Sequence, residues 1–210
     1  MTIEEYCLQH SSLPESTAAL DWISHQTHIR TSRARMLSGR DVGGLLSAIS
    51  RMMRPQHILE LGVFTGFSTV CLAEGLAPDG SIDAIEINDE LEDVIREGYA
   101  KAGVSRKVNL LLGDAMEILP TLEGPYDLVY IDANTRQYPD YWRLVADKVR
   151  PGGIVIADNT LWDGKVVEEP TPRDAQSVGI LEFNKLVAAD SRYRCVMLPL
   201  RDGITIAVRF

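Results

Sequence analysis

Acidic residues stand in series where apolar runs of the chain break off: Glu60, Glu86, Asp114, Asp132 and the pair Asp158-Asn159. One acid after an apolar run is ordinary. A series on one edge of a sheet is hard to explain as surface decoration, because like charges repel unless a cation or a hydroxyl-rich ligand satisfies them. Glu86 suits the two hydroxyls of a ribose, although Asn88-Asp89 follow at once and an acid favoured at a helix start would look the same. Asp132, Asp158 and Asn159 form an all-oxygen set suited to a hard cation, Mg²⁺ with Ca²⁺ or Mn²⁺ as substitutes. No His or Cys belongs to it, which speaks against Zn²⁺. A turn-forming Asp-Asn pair is the plainer reading of Asp158-Asn159.

The stretch that organises these acids runs from His57 to Ser68 (HILELGVFTGFS). It reads as a buried strand, a glycine turn and the start of a helix. Gly62 and Gly66 allow a sharp turn and close approach to a ligand. Ser68 and the free N–H groups at the helix start make a seat for an anion, with Glu60 as an acceptor beside it. A ligand carrying both an ammonium and a carboxylate suits that pair. The spacing is not the G-x-G-x-x-G of a dinucleotide fold, and a turn needing small residues only for packing would share it.

Stepping along the chain, an amphipathic helix is expected over Pro14–Ile29, with Leu20, Trp22, Ile23 and Thr27 on one side. His25 and His28 there lack a third ligand and read as an exposed face. An arginine-rich connector follows (Arg30, Arg33, Arg35, Arg40), whose Met36–Ser38 segment is placed as a flap over a ligand. A second helix spans Asp41–Met53, with Val42, Leu45, Leu46, Ile49, Met52 and Met53 as its buried stripe. Strands and helices then alternate: strands at His57–Leu61, Ser81–Ile87, Val108–Leu112, Tyr126–Ile131 and Ile154–Ala157, helices at Phe67–Leu76, Glu90–Ala102, from Gly113-Asp114-Ala115, and over Asp140–Val149. Thr160–Arg173 reads as a charged loop in which Trp162, Asp163 and Lys165 are placed to hold a substrate. A helix over Ala175–Ala189 precedes strands at Tyr193–Leu200 and Ile204–Phe210, joined by the Arg201-Asp202-Gly203 turn. Successive β–α units require a mostly parallel α/β sheet covered on both faces, and the terminal hairpin must add an antiparallel strand.

At 210 residues, 45% apolar and 24% charged, the chain is expected to form one soluble domain, with residues 1–54 as a helical cap on a core over 55–210. A net charge of -9 argues against a protein built mainly to hold nucleic acid. Cys7, Cys71 and Cys195 are scattered and expected to be reduced thiols in a cytoplasmic setting. Neither a signal peptide nor a bilayer-spanning stretch is expected.

As a set, the segments Leu59-Glu60-Leu61-Gly62-Val63-Phe64-Thr65-Gly66-Phe67-Ser68, Glu86, Gly113-Asp114-Ala115, Tyr130-Ile131-Asp132-Ala133, Pro151-Gly152-Gly153, Asp158-Asn159-Thr160-Leu161-Trp162 and Asp202-Gly203 resemble the metal-dependent O-methyltransferases typified by the catechol and caffeoyl-CoA enzymes. The resemblance runs in order from about Met36 onward. It implies a Rossmann-like, seven-stranded methyltransferase sheet with S-adenosylmethionine over the first strand ends. Ser38, Glu60, Gly62 and Ser68 would lie by the methionine part, Glu86 would take the ribose hydroxyls, and Asp114-Ala115 and Asp132 would border the cofactor further on. Asp132, Asp158 and Asn159 would hold the divalent cation and align a hydroxyl of a small catechol-like or hydroxycinnamoyl acceptor. Relatives are usually homodimers.

One departure matters. The family places Asp-Lys where this chain has Asn134-Thr135, and that lysine is taken as the base for the acceptor hydroxyl. A threonine hydroxyl does not replace an amine. Arg136 stays protonated and stabilises a phenolate without accepting its proton. Three readings stay open: the metal alone acidifies the hydroxyl, Lys165 or another group serves, or activity on catechols is weak and the chain is chiefly a binding protein. A hydroxylated tRNA base is a rival acceptor, favoured by the arginines near Arg30–Arg40 and opposed by the acidic total.

Overall fold

The computed structural model describes residues 1–12, 15–169, 171 and 173–210. A parallel series of strands forms its centre: β1 (His57–Leu61), β2 (Ser81–Glu86), β3 (Val108–Leu112), β4 (Tyr126–Ile131) and β5 (Val149–Ala157). Strands β6 (Tyr193–Leu198) and β7 (Ile204–Arg209) complete a seven-stranded sheet of order β3-β2-β1-β4-β5-β7-β6. β7 inserts antiparallel between β5 and β6. The chain steps outward from β1 to β3, then returns to lay β4 against the other side of β1. That reversal opens a crevice at the carboxyl ends of β1 and β4, where open α/β sheets bind ligands.

The two-residue alternation of the strands builds a core on each face. Ile58, Ile82, Leu128 and Ile156 point to one side, where α2 (Thr17–Arg30), α3 (Gly39–Met53), α4 (Phe67–Ala73) and α5 (Glu92–Lys101) pack. Leu59, Leu61, Val129 and Val155 point to the other, under α6 (Ala115–Ile118), α7 (Tyr138–Val145) and α8 (Ala175–Ala189). Among the described residues no helix is long and apolar enough to cross a membrane.

Several boundaries differ from the sequence reading for identifiable reasons. A short helix α1 (Ile3–Gln9), closed by a capping box between Thr2 and Glu5, was not foreseen. α2 begins at Thr17, and Pro14, expected as its start, lies outside the described residues. α3 begins at Gly39, and its expected stripe holds at Val42, Leu46 and Ile49, but Met52 is exposed, and Gly43, Ser47 and Ser50 are buried as well. These small residues face α4, where Ser50 Oγ donates to the Leu72 carbonyl at 2.6 Å; only small side chains permit that approach. The helix after β1 stops at Ala73 rather than Leu76, and the one after β2 is preceded by a 3-10 turn at Asp89–Leu91. α7 spans Tyr138–Val145 rather than Asp140–Val149, because Pro139 seats in its first turn. β5 already begins at Val149 and runs through Pro151-Gly152-Gly153 with an irregular register against β4. The loop after β5 carries a 3-10 segment, Trp162–Val167, kinked at Asp163 and Gly164.

Opposite the crevice, Asp127 pins the start of β1. Its Oδ2 accepts the N–H groups of Gln56 at 2.7 Å and His57 at 2.8 Å, and its Oδ1 accepts from Arg150 Nε. Burial pushes this carboxyl up, but Arg150 and the two amides outweigh it and hold it below the ordinary 3.8. Asp127→Asn is expected to cost about 1–3 kcal/mol. Because the folded-state value is depressed, the difference from wild type should be full above pH 3.8 and fade as pH falls through the lower folded value, measured by urea melts across that range.

Candidate active site

A staircase of backbone bonds sets the strand ends side by side. Gly113 N donates to Glu86 O at 2.8 Å, Gly62 N to Ile85 O at 3.0 Å, Asp132 N to Leu61 O at 2.8 Å and Asp158 N to Ile131 O at 2.9 Å. The residue just past each strand is thus tied to the end of its neighbour, and the acids fall on one rim. Tyr138 of α7 braces the far side, its hydroxyl donating to the carbonyls of Asp158 at 3.1 Å and Ile131 at 3.3 Å.

Glu60 is fully buried. Ser68 Oγ donates to its Oε1 at 2.5 Å, while Oε2 has no partner. Burial raises this carboxyl to about 7, against the hydroxyls of Ser68 and Thr69, with a further push from Glu86. An unpartnered carboxylate oxygen in an enclosed rim is a vacant acceptor for a ligand cation. Glu86 is bound differently: Oε2 accepts Phe64 N at 2.6 Å and Oε1 accepts Asn88 N at 2.8 Å. Its carboxyl is raised chiefly by burial. Two oxygens offer about four lone-pair sites, so acceptor capacity remains after these bonds. Ile87, the next residue, is 70% exposed and presents an apolar plate at the rim that the sequence reading did not single out. Asp114 caps α6, accepting Met116 N at 2.8 Å, and Ala115 behind it is buried.

Gly62 has φ 89, and a Cβ there would fall 1.9 Å from the Asp132 carbonyl oxygen. At Gly66 it would meet the Tyr99 ring at 2.8 Å. Both glycines are therefore demanded by the chain's own packing, a reason distinct from the ligand approach expected at first.

Asp132 and Asp158 converge on one phenol. Tyr130 Oη donates to Asp158 Oδ2 at 3.1 Å and lies 3.5 Å from Asp132 Oδ2; the Ser38 side chain also bonds it. Asp132 is raised well above its ordinary range by burial first and by Asp158 next, and Asp158 is raised by burial. Asn159 takes a left-handed φ of 58, which Asn tolerates better than most residues. Its side-chain amide lies 3.5 Å from Asp158 Oδ1. Among the described residues no group of three or more His, Cys, Asp and Glu side chains is arranged to hold a metal; this set is two carboxylates and an amide. A half-buried and a buried carboxylate, the second pushing the pKa of the first up, with an amide oxygen beside them, fit a hard divalent ion.

The other expected residues are placed apart from this pair. Lys165 is exposed, its amine on Asp174, the N-cap of α8, at 3.1 Å. Arg136 is exposed. Thr135 is buried, with Oγ1 lacking a partner. Tyr130 and Arg201, which the sequence reading passed over as strand and turn residues, both reach the rim; no local pattern marks either.

A sequence profile described as O-methyltransferase matches residues 9–210. The chain belongs to the S-adenosylmethionine-dependent O-methyltransferase family. Caffeoyl-CoA O-methyltransferase 1 of Nicotiana tabacum is 35% identical over 185 residues, 83% of this chain and 77% of that protein. The caffeoyl-CoA O-methyltransferase of Medicago sativa is 33% identical over 221 residues, 98% of this chain and 87% of that one. Among solved structures, the O-methyltransferase TomG from Streptomyces achromogenes, in complex with SAM, superposes with a TM-score of 0.89 at 28% identity, covering 100% of this chain and 99% of TomG. The SAH-bound methyltransferase PaMTH1 of Podospora anserina gives 0.87 at 26%, covering 99% of this chain and 94% of PaMTH1. The sheet order of this O-methyltransferase is that of the methyltransferase fold, antiparallel hairpin included.

Glu60 generates a test by pH. Its folded-state value, about 7, lies above the ordinary 4.5, so its contribution to stability is full below pH 4.5 and is lost as pH rises through 7. The loss amounts to about 3 kcal/mol. Glu60→Gln should match wild type at pH 4.5 and be the more stable protein at about pH 8, read from urea melts without ligand.

Proposed function

We propose that this O-methyltransferase carries a methyl group from S-adenosylmethionine to one hydroxyl of a small vicinal diol, catechol-like or hydroxycinnamoyl in kind, with a divalent cation at Asp132, Asp158 and Asn159. One observation carries the reading: the carboxylates of half-buried Asp132 and buried Asp158 meet on the Tyr130 hydroxyl, at the sheet edge that also carries buried Glu60 and Glu86. Support for the donor comes from the SAM and SAH held by TomG and PaMTH1, and for the acceptor class from the plant caffeoyl-CoA enzymes.

In this reading the free Glu60 Oε2 takes the ammonium of the donor, and Ser38, Gly62 and Ser68 surround its methionine part. Binding a cation there pulls the Glu60 carboxyl down to its ionised form. Glu86 uses its remaining lone pairs on the ribose hydroxyls, while Ile87, Asp114 and Ala115 border the base. Asp132, Asp158 and Asn159 would hold the divalent cation, which would supply Lewis acidity toward the acceptor hydroxyl. The chain's own part is alignment and charge: Tyr130 meets the two carboxylates, Tyr138 braces the backbone carbonyls of Ile131 and Asp158, and Arg136 stands as a fixed positive charge beyond Asp132. Holding two reactants in line is worth several orders of magnitude in rate without any further chemistry.

No amine stands in for the absent base. Thr135 is sealed from solvent, and Lys165 is committed to Asp174. This favours acceptors whose hydroxyl is already acidic. It equally supports a second reading, a SAM-binding protein with weak turnover.

The experiment is a methyl-transfer screen over catechols, hydroxycinnamoyl compounds and tRNA, with and without Mg²⁺. Turnover of diols that requires Mg²⁺ is expected, and Asp132→Asn and Asp158→Asn should each lower kcat/KM by more than about 100-fold, exceeding the usual cost of losing a group that only supports a metal ligand. Cofactor binding without turnover on any acceptor would sink the enzymatic reading and leave the binding protein. A large gain on catechols from Thr135→Lys would show that the natural acceptor is of another kind.

A further inference from the structure

The turn between β6 and β7 fastens both loops that flank the crevice. Arg201 in that turn holds φ at 49, a left-handed backbone that glycine adopts freely and other residues resist. Its guanidinium reaches a segment 163 residues earlier in the chain. Nη1 donates to the Leu37 carbonyl at 3.0 Å and to that of Ser38, and lies 3.8 Å from Asp41 Oδ1. Gly39 leaves room for it: a Cβ there would sit 3.0 Å from the same nitrogen. On the other side of the turn, Asp202 Oδ1 accepts the N–H of Asp163, and Gly203 packs against Leu161.

What Arg201 holds is the part of the chain that touches the rim. Ser38 is buried, and its side chain bonds the Tyr130 hydroxyl, which in turn meets Asp132 and Asp158. The arginines of the same connector are placed otherwise: Arg30 pairs with Asp93 and Arg40 with Asp21, while Arg33 is exposed. Arg201 is also a positive charge felt by both Asp132 and Asp158. A side chain kept in a disfavoured backbone conformation, with one guanidinium nitrogen donating to two carbonyls of a distant segment, is held there by that segment.

We propose that Arg201 is a positioning residue for methyl transfer, its guanidinium clamping Leu37–Ser38 down onto the Tyr130 end of the crevice and so shaping the donor side of the pocket. The clamp rests on the reading of that crevice as the S-adenosylmethionine site. Its loss leaves the strand ends intact but frees the strap that covers them.

Arg201→Gly separates the clamp from the turn, because glycine suits the local backbone and removes only the side chain. The variant is expected to melt at or above the wild-type temperature. The Met36 and Leu37 amides, bonded to the Arg33 and Ala34 carbonyls, should exchange faster with solvent deuterium in the ligand-free protein. Calorimetric titration with S-adenosylhomocysteine should show affinity weakened by about tenfold, the scale of one lost charge-assisted contact. Arg201→Lys, which keeps the charge but not the reach and planar shape of the guanidinium, should fall between the two. Unchanged affinity together with unchanged exchange at Met36 and Leu37 overturns the proposal. So does a lower melting temperature with exchange accelerated across the whole sheet, the signature of a residue needed only for folding. A wild-type protein that fails to bind S-adenosylhomocysteine defeats the pocket reading instead, and the exchange of the ligand-free variant still judges the clamp.

Discussion

Carboxylates taken out of water at one edge of the sheet are the constraint around which this molecule is built. Parallel strands joined by helical crossovers bring their carboxyl ends to one edge, and this chain places an acid at or near the end of each of its five parallel strands. Backbone bonds between neighbouring strand ends then hold those acids closer than free side chains would settle. Burial is the first cause of the raised values of Glu60, Asp132 and Asp158, and neighbouring carboxylates push Asp132 and Glu60 further up. A rim in that condition favours positive charge, which is what the proposed donor ammonium and divalent ion would bring to it.

The surrounding structure uses tyrosine where a more polar group would let water in. Tyr130 and Tyr138 are fully buried, yet their hydroxyls point at the rim and satisfy its carboxylates and carbonyls. Each contributes an aromatic body to the core and one donor to the site. The two hydrophobic layers therefore run directly up to the charged edge, and the site borrows their rigidity. Stability is placed on the opposite edge, where Asp127 pairs with Arg150 and two backbone amides. The rim itself is the poorly satisfied end of the sheet, a division common where activity needs groups that a stable fold would rather neutralise.

Much of this was legible in the chain before folding. The strand positions, the alternation with helices, the terminal hairpin and the acids at the strand ends were all readable, since turn chemistry and hydrophobic period are local properties. The errors were local competitions decided by neighbours. Met52 was placed in the core by periodicity, but α4 approaches so closely that the serines and glycine of α3 face it. The helix expected to run to Val149 yields to β5, whose pairing with Tyr126 is a long-range gain that no window along the chain contains.

The sequence by itself determined the fold class and the acids that stand at the strand ends, because each follows from residue types at short spacing. Only the tertiary structure decided that Tyr130 joins Asp132 to Asp158, that Gly62 must be glycine because of the Asp132 carbonyl, that Lys165 is spent on Asp174, and that Arg201 reaches Leu37 and Ser38. These depend on side chains meeting across the sheet from segments far apart in the chain. Such contacts obey packing and topology, which a linear pattern of residues constrains without displaying.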